Sequence, residues 1–172
     1  MSPLELIAHQ TADAYRWADQ LINSIPQEKW DEIPANVETS VTWQAGHLLM
    51  SYYFHSILVI KGHPKDIPPS VPLREYSTLF TSAPPSHSVG KVNAEDLRHQ
   101  LTLVQNKSLA TIRSLSLADT EAPLEPTPFP HPVANTKFEA LDWNVKHTMW
   151  HCGQLGILKR ILDQRWDFGL NR

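Results

Sequence analysis

His147 and His151 stand four residues apart in the stretch Asp142-Trp143-Asn144-Val145-Lys146-His147-Thr148-Met149-Trp150-His151-Cys152-Gly153-Gln154. On a helix, side chains at that spacing lie one above the other, so both imidazoles can reach one point in space. That is a metal-ligand spacing. At roughly 100° per residue, Trp143, Asn144, His147, His151, Gln154, Leu158 and Ile161 share one stripe, which sets polar groups into a core-facing side. Buried polar groups need partners, so these histidines either bind something or hydrogen-bond to Asn144, Gln154 or carbonyl groups. A third histidine, His47, lies on the otherwise apolar stripe Trp43, Met50, Ser51, Phe54, Leu58 of an earlier helix. Three neutral imidazoles converging from two helices would give a three-ligand site with positions open to water or substrate, an arrangement typical of catalytic rather than closed structural sites. Imidazole suits zinc, nickel, iron and copper alike.

Other residues are weighed against that trio. Gln154, one turn beyond His151, is a candidate catalytic residue that would orient a metal-bound water or a histidine, or else a helix-packing hydrogen-bond partner. Asn144, one turn before His147, is a second such candidate. Trp43 reads as core. Cys152 lies about 100° round the helix from His151 and reads as a small buried filler rather than a fourth ligand. His55 is two turns beyond His47 and off to one side, and His63 is in the helix stop, so neither is a ligand candidate. His9, His87, His99 and His131 read as surface or connector residues. The chain has no Gly-rich phosphate loop, no CxxC and no nucleophile elbow.

The elements that must position these side chains are helices. Leu4, Ile7, Ala8, Thr11, Ala14, Tyr15, Ala18, Leu21, Ile22 and Ile25 follow helical spacing up to a stop at Pro26, and a short turn is expected around Gln27 to Trp30. A second helix, capped by Thr39 or Ser40, runs from about Thr42 to Lys61 and ends at Gly62 and Pro64. Residues 63–92 hold six prolines and predict a long crossover with one short helix at Arg74 to Phe80. Asn93 caps a third helix with core positions Leu97, Leu101, Val104, Ser108, Ile112 and Leu115. After a second Pro-rich connector, 118–135, Thr136 and Glu139 open a fourth helix in capping-box spacing that runs to about Asp163. Four helices and no convincing strand pair predict an all-α four-helix bundle.

The 172 residues fit a single domain, 1–172, and can bury a sizeable core. A net charge of −3 spread along the chain, with no basic run, argues against nucleic acid as the main partner. Neither a membrane span nor a signal peptide is indicated, and a single cysteine fits a reducing compartment, so a cytoplasmic protein is expected. The second and fourth helices are apolar most of the way round and must be covered on more than one side. Either the two connectors do this or a second copy does, and a homodimer is the expectation.

The stretch Ser40-Val41-Thr42-Trp43-Gln44-Ala45-Gly46-His47-Leu48-Leu49, followed about a hundred residues later by His147-x-x-x-His151-x-Gly153-Gln154, resembles the DinB/YfiT-like metalloprotein superfamily. The resemblance covers most of the chain. It implies an up-down-down-up bundle with the long crossover between helices 2 and 3, and one divalent metal ion, zinc or nickel first and iron as a further fit, held by His47, His147 and His151. It also implies thiol chemistry on a small-molecule substrate: transfer of a low-molecular-weight thiol onto an electrophile by a metal-dependent S-transferase. A non-catalytic metal or small-ligand binding bundle and a metal-dependent hydrolase are the alternatives.

Overall fold

The computed structural model describes residues 1–67 and 69–169, and among these it contains helices and no strand, only an isolated bridge between Pro123 and Thr136. Helix α1 (Pro3–Asn23) starts from a capping box in which Ser2 and Glu5 satisfy each other's backbone amides. A 3-10 turn, Gln27–Lys29, follows. Helix α2 (Val41–Tyr53) is capped by the Ser40 hydroxyl, which accepts from the Trp43 amide. It then widens into a π-helical turn, Phe54–Leu58, closes with one α-turn, Val59–Lys61, and stops at Gly62, whose φ of 78° favours glycine.

The long connection carries α3 (Leu73–Ser77), which also widens into a π-helical turn, Thr78–Ser82. Helix α4 (Ala94–Arg113) begins where the Asn93 side chain accepts from the amides of Glu95 and Asp96. A five-residue helix, α5 (Leu117–Glu121), lies at the start of the second connector, where no helix was expected. Helix α6 (Lys137–Leu162) opens with the Thr136/Glu139 capping box that the sequence indicates.

α6 packs along α1, and α2 packs along α4. Between them lies a core of Tyr15, Leu48, Leu49, Tyr52, Phe80, Leu97, Leu155 and their neighbours, with a second cluster around Ile7, Ile60, Ile112 and Leu141. Leu49, Tyr52, Tyr53, Val59 and Ile60, the surplus apolar side of the second helix, are all buried within the chain. No helix among the described residues is long and apolar enough to cross a membrane.

Candidate metal centre

α2 delivers His47 and α6 delivers His147 and His151 to one place, where one ring nitrogen of each lies within 4.8 Å of the others. Ring centroids are 5.3 Å apart for His47 and His147, 4.8 Å for His47 and His151, and 4.5 Å for His147 and His151. The hydrogen-bond network assigns the tautomers. The Phe80 carbonyl accepts from His47 Nδ1 at 2.7 Å, and Gln44 Oε1 accepts from His151 Nδ1 at 2.5 Å. Both rings therefore carry their hydrogen on Nδ1 and turn an Nε2 lone pair toward the centre. Gln44 is fixed in turn, since its amide donates to Gln154 Oε1 at 2.8 Å and to Thr39 Oγ1 at 3.1 Å.

His151 Nε2 and His147 Nε2 are 3.1 Å apart. Two nitrogens about 2.0–2.1 Å from one ion are separated by about 2.9–3.4 Å across angles of 90–109°, so this spacing fits a shared ion. His147 lacks an anchor of the kind the other two have, because its Nδ1 is buried with no partner among the described residues. Its ring is held by stacking instead, with the Trp143 ring centroid 5.7 Å away at an interplanar angle of 21°. Trp43 stacks on His47 in the same way at 4.7 Å and 11°, and from its half-buried position it also packs against the core, as expected.

Burial keeps the three imidazoles neutral. It lowers His151 to about 3 and His147 to about 4, with the neighbouring imidazoles pushing in the same direction, and it lowers His47 despite the opposing effect of the Phe80 carbonyl. Neutral imidazoles are the form that binds metal, so protons compete little at neutral pH. Donor type, tautomer and spacing together fit a divalent cation.

The other candidates fall in several places. Gln154 reaches His151 only through Gln44. Asn144 is buried and donates from Nδ2 to the Tyr15 hydroxyl at 3.0 Å, within a cluster that includes Ser56 and Ser108, and so ties α6 to α1. Cys152 is buried, and its thiol is pushed up to about 12 by that burial, so the chain supplies no thiolate here. His63 accepts or donates at the Tyr53 hydroxyl, away from the trio.

His55 departs from the expectation. It is buried, its ring centroid lies 5.5 Å from that of His147, and burial followed by the neighbouring imidazoles lowers it to about 2. His131 reaches back from the second connector. The amides of Val133 and Ala134 donate to its Nδ1, which leaves the hydrogen on Nε2 to donate to His55 Nδ1 at 2.7 Å. A regular helix would put His55 about 80° away from His47. It lies in the π-helical turn, where each residue advances less, and that draws it back toward the His47 side. Gln44, the Phe80 carbonyl and the His55–His131 pair were thus absent from the sequence reading. The one available signal was Gln44, a polar residue three positions before His47 in a helix with few others.

Beside His47 and His147 opens a cavity of 630 Å³, lined also by Met50, Phe54, His55, Arg74, Phe129 and Trp143. That size is within the range of about 300–1,000 Å³ usual for small-molecule sites. The family model for the DinB superfamily matches residues 10–155, a span that contains all three histidines. The chain belongs to the DinB superfamily. The crystal structure of a conserved protein from Enterococcus faecalis has the same fold as this DinB-superfamily chain, with a TM-score of 0.68 at 15% identity, covering 94% of this chain and 98% of that one. At such identity the likeness shows the fold alone. No curated protein matches the chain.

Proposed function

We propose that this DinB-superfamily protein is a divalent-metal-dependent S-transferase that joins a low-molecular-weight thiol to a small electrophile. The observation that carries the reading is the pairing of three neutral imidazoles, two with fixed tautomers, with a cavity that reaches two of them. His47, His147 and His151 are the ligands, and zinc or nickel are the first choices of metal, with iron a further fit. A divalent cation held by these three residues would supply Lewis-acid chemistry, which favours ionisation of a thiol at neutral pH. In the overall reaction the sulfur forms a bond to the electrophilic carbon, the leaving group departs with its electron pair, and the thiol proton passes to solvent.

The chain's own residues do the positioning. The Phe80 carbonyl and Gln44 hold two rings, and Gln154 acts behind Gln44. Asn144 acts by fixing α6 against α1 through Tyr15. The reading includes an up-down-down-up arrangement of the four long helices within one domain, supported by superfamily membership and by the long connection between α2 and α4. The cavity favours the enzyme over a bundle whose metal only stabilises the fold; a small-ligand binding bundle would use the cavity too, and the conjugation assay separates it from the enzyme.

The test uses protein purified without an affinity tag. Elemental analysis should give one divalent metal per chain, and the loaded protein should accelerate conjugation of cysteine or glutathione to monochlorobimane, a small electrophile that becomes fluorescent when it alkylates a thiol. Stoichiometric metal with no acceleration for any low-molecular-weight thiol tried would leave the non-catalytic bundle. Acceleration that survives metal removal would overturn the metal's role.

A further inference from the structure

The cavity beside the histidines is lined by two unlike kinds of side chain. Met50, Phe54, Phe129 and Trp143 give it an apolar, largely aromatic lining. Arg74, Ser77 and Thr81 also line it at successive spacings of three and four residues, which places them on one face of α3 and its π-helical turn. Arg74 is exposed, and among the described residues it has no ion pair and no side-chain hydrogen bond. No aspartate or glutamate is among the lining residues. The proposed ligand set is neutral too, so it leaves the charge of a bound cation uncancelled. A cavity lined by an unpaired arginine, the hydroxyl-bearing Ser51, Tyr53, Ser77, Thr81 and Thr127, and no acid favours an anion, and its aromatic walls favour an apolar body.

We propose that the cavity binds a small carboxylate with an apolar, ring-sized body, and that Arg74 recognises the carboxylate. The guanidinium fork matches the two oxygens of a carboxylate. A phosphate dianion is better matched by a second cationic side chain, and Arg74 is the one lysine or arginine among the lining residues. This inference deepens the S-transferase reading and rests on it for the identity of the substrate site. The carboxylate belongs to the apolar partner in the reaction, since a small polar thiol makes no use of the aromatic wall.

Calorimetric titration of the metal-loaded full chain with three probes tests this: 4-phenylbutyrate, its neutral amide, and mercaptosuccinate, a carboxylate thiol without an apolar body. Hydrogen bonds to a charged group change binding by about tenfold or more, and an exposed arginine belongs at the lower end. 4-Phenylbutyrate should therefore bind about tenfold more tightly than the amide, and Arg74→Gln should remove that preference while leaving amide binding and the melting temperature unchanged. Arg74→Lys should restore part of it. The proposal fails if acid and amide bind alike to the parent, if the preference survives in Arg74→Gln, if neither phenyl probe binds at millimolar concentration, or if only mercaptosuccinate senses Arg74. Failure of the S-transferase reading looks different: an Arg74-dependent preference with no thiol conjugation sinks that reading and leaves the carboxylate site standing.

Discussion

A histidine with its Nδ1 hydrogen committed has only an Nε2 lone pair to give, and His47 and His151 are both in that state. Replacing either, or His147, with Ala should abolish stoichiometric metal binding. It should also remove the stabilisation that excess metal gives the parent, about 2.7 kcal/mol when free metal is a hundred times its dissociation constant. Exposed His99 makes the control, whereas His55 does not, because its ring sits against His147. Metal retained by His47→Ala at the parent's level would refute the ligand set. Gln44→Leu removes the acceptor that fixes His151 and should weaken metal affinity by about 10- to 100-fold, as losses of such outer partners do.

Acid supplies a second check at this scale. All three imidazoles titrate below their unfolded value in the fold, so below about pH 6.5 the unfolded chain takes up protons that the folded chain refuses. Stability of the metal-free protein should fall as pH drops from about 6.5 toward the folded values of about 4 and about 3 for His147 and His151. Thermal melts should show a shallower fall in His151→Asn than in the parent, and equal slopes would refute the assignment. The paired histidines of α6 were legible in the sequence because four-residue spacing on a helix fixes their geometry locally. Gln44 and the Phe80 carbonyl were not, because they reach the rings through tertiary contacts that no local pattern encodes.

Each π-helical turn places one group against a histidine of the trio: Phe54–Leu58 sets His55 beside His147, and Thr78–Ser82 brings the Phe80 carbonyl to His47. The helices themselves were readable from caps and periodicity, as Ser40, Asn93 and Thr136 show by capping where expected. The π-helical turns were not, since a widened turn has no fixed residue signature and appears as a phase error along an otherwise regular stripe. Helix α5 was missed because five residues are too few to establish a period. The contact between the second of these turns and α2 depends on Gly46. A Cβ built there would lie 2.4 Å from the Phe80 ring, far inside van der Waals contact. Phe80 is fully buried and cannot swing away. Gly46→Ala should therefore destabilise the protein by about 1–3 kcal/mol, as overpacking does. Because the Phe80 carbonyl holds His47, the same variant should also bind metal more weakly, measured by competition with a chromogenic chelator. Lost stability with unchanged metal affinity would show that Phe80 packs the core without setting the His47 ring.

At the scale of the whole molecule, the surplus apolar surface divides between two fates. That of α2 is covered within the chain, whereas on α6 Met149, Trp150, Ile157 and Ile161 remain 44–62% exposed, and Phe168 beyond it is 61% exposed. Between them Gly153 and Gly156 leave open space where a Cβ would stand, so the helix presents a shallow trough flanked by large apolar side chains. A monomer seldom leaves a strip with so many large apolar side chains in water, Arg160 being the charge beside them, and a two-fold axis across α6 would let the strip on one copy meet the same strip on another. We therefore expect a homodimer built on α6. Light scattering at micromolar concentration should report twice the 19.6 kDa of one chain, and the melting temperature should rise with protein concentration. Ile157→Arg puts a charge at the centre of the strip without touching the histidines and should yield a folded monomer that still binds one metal. A parent that is monomeric throughout the micromolar range would refute the dimer. A variant that dimerises as well as the parent would move the interface off α6.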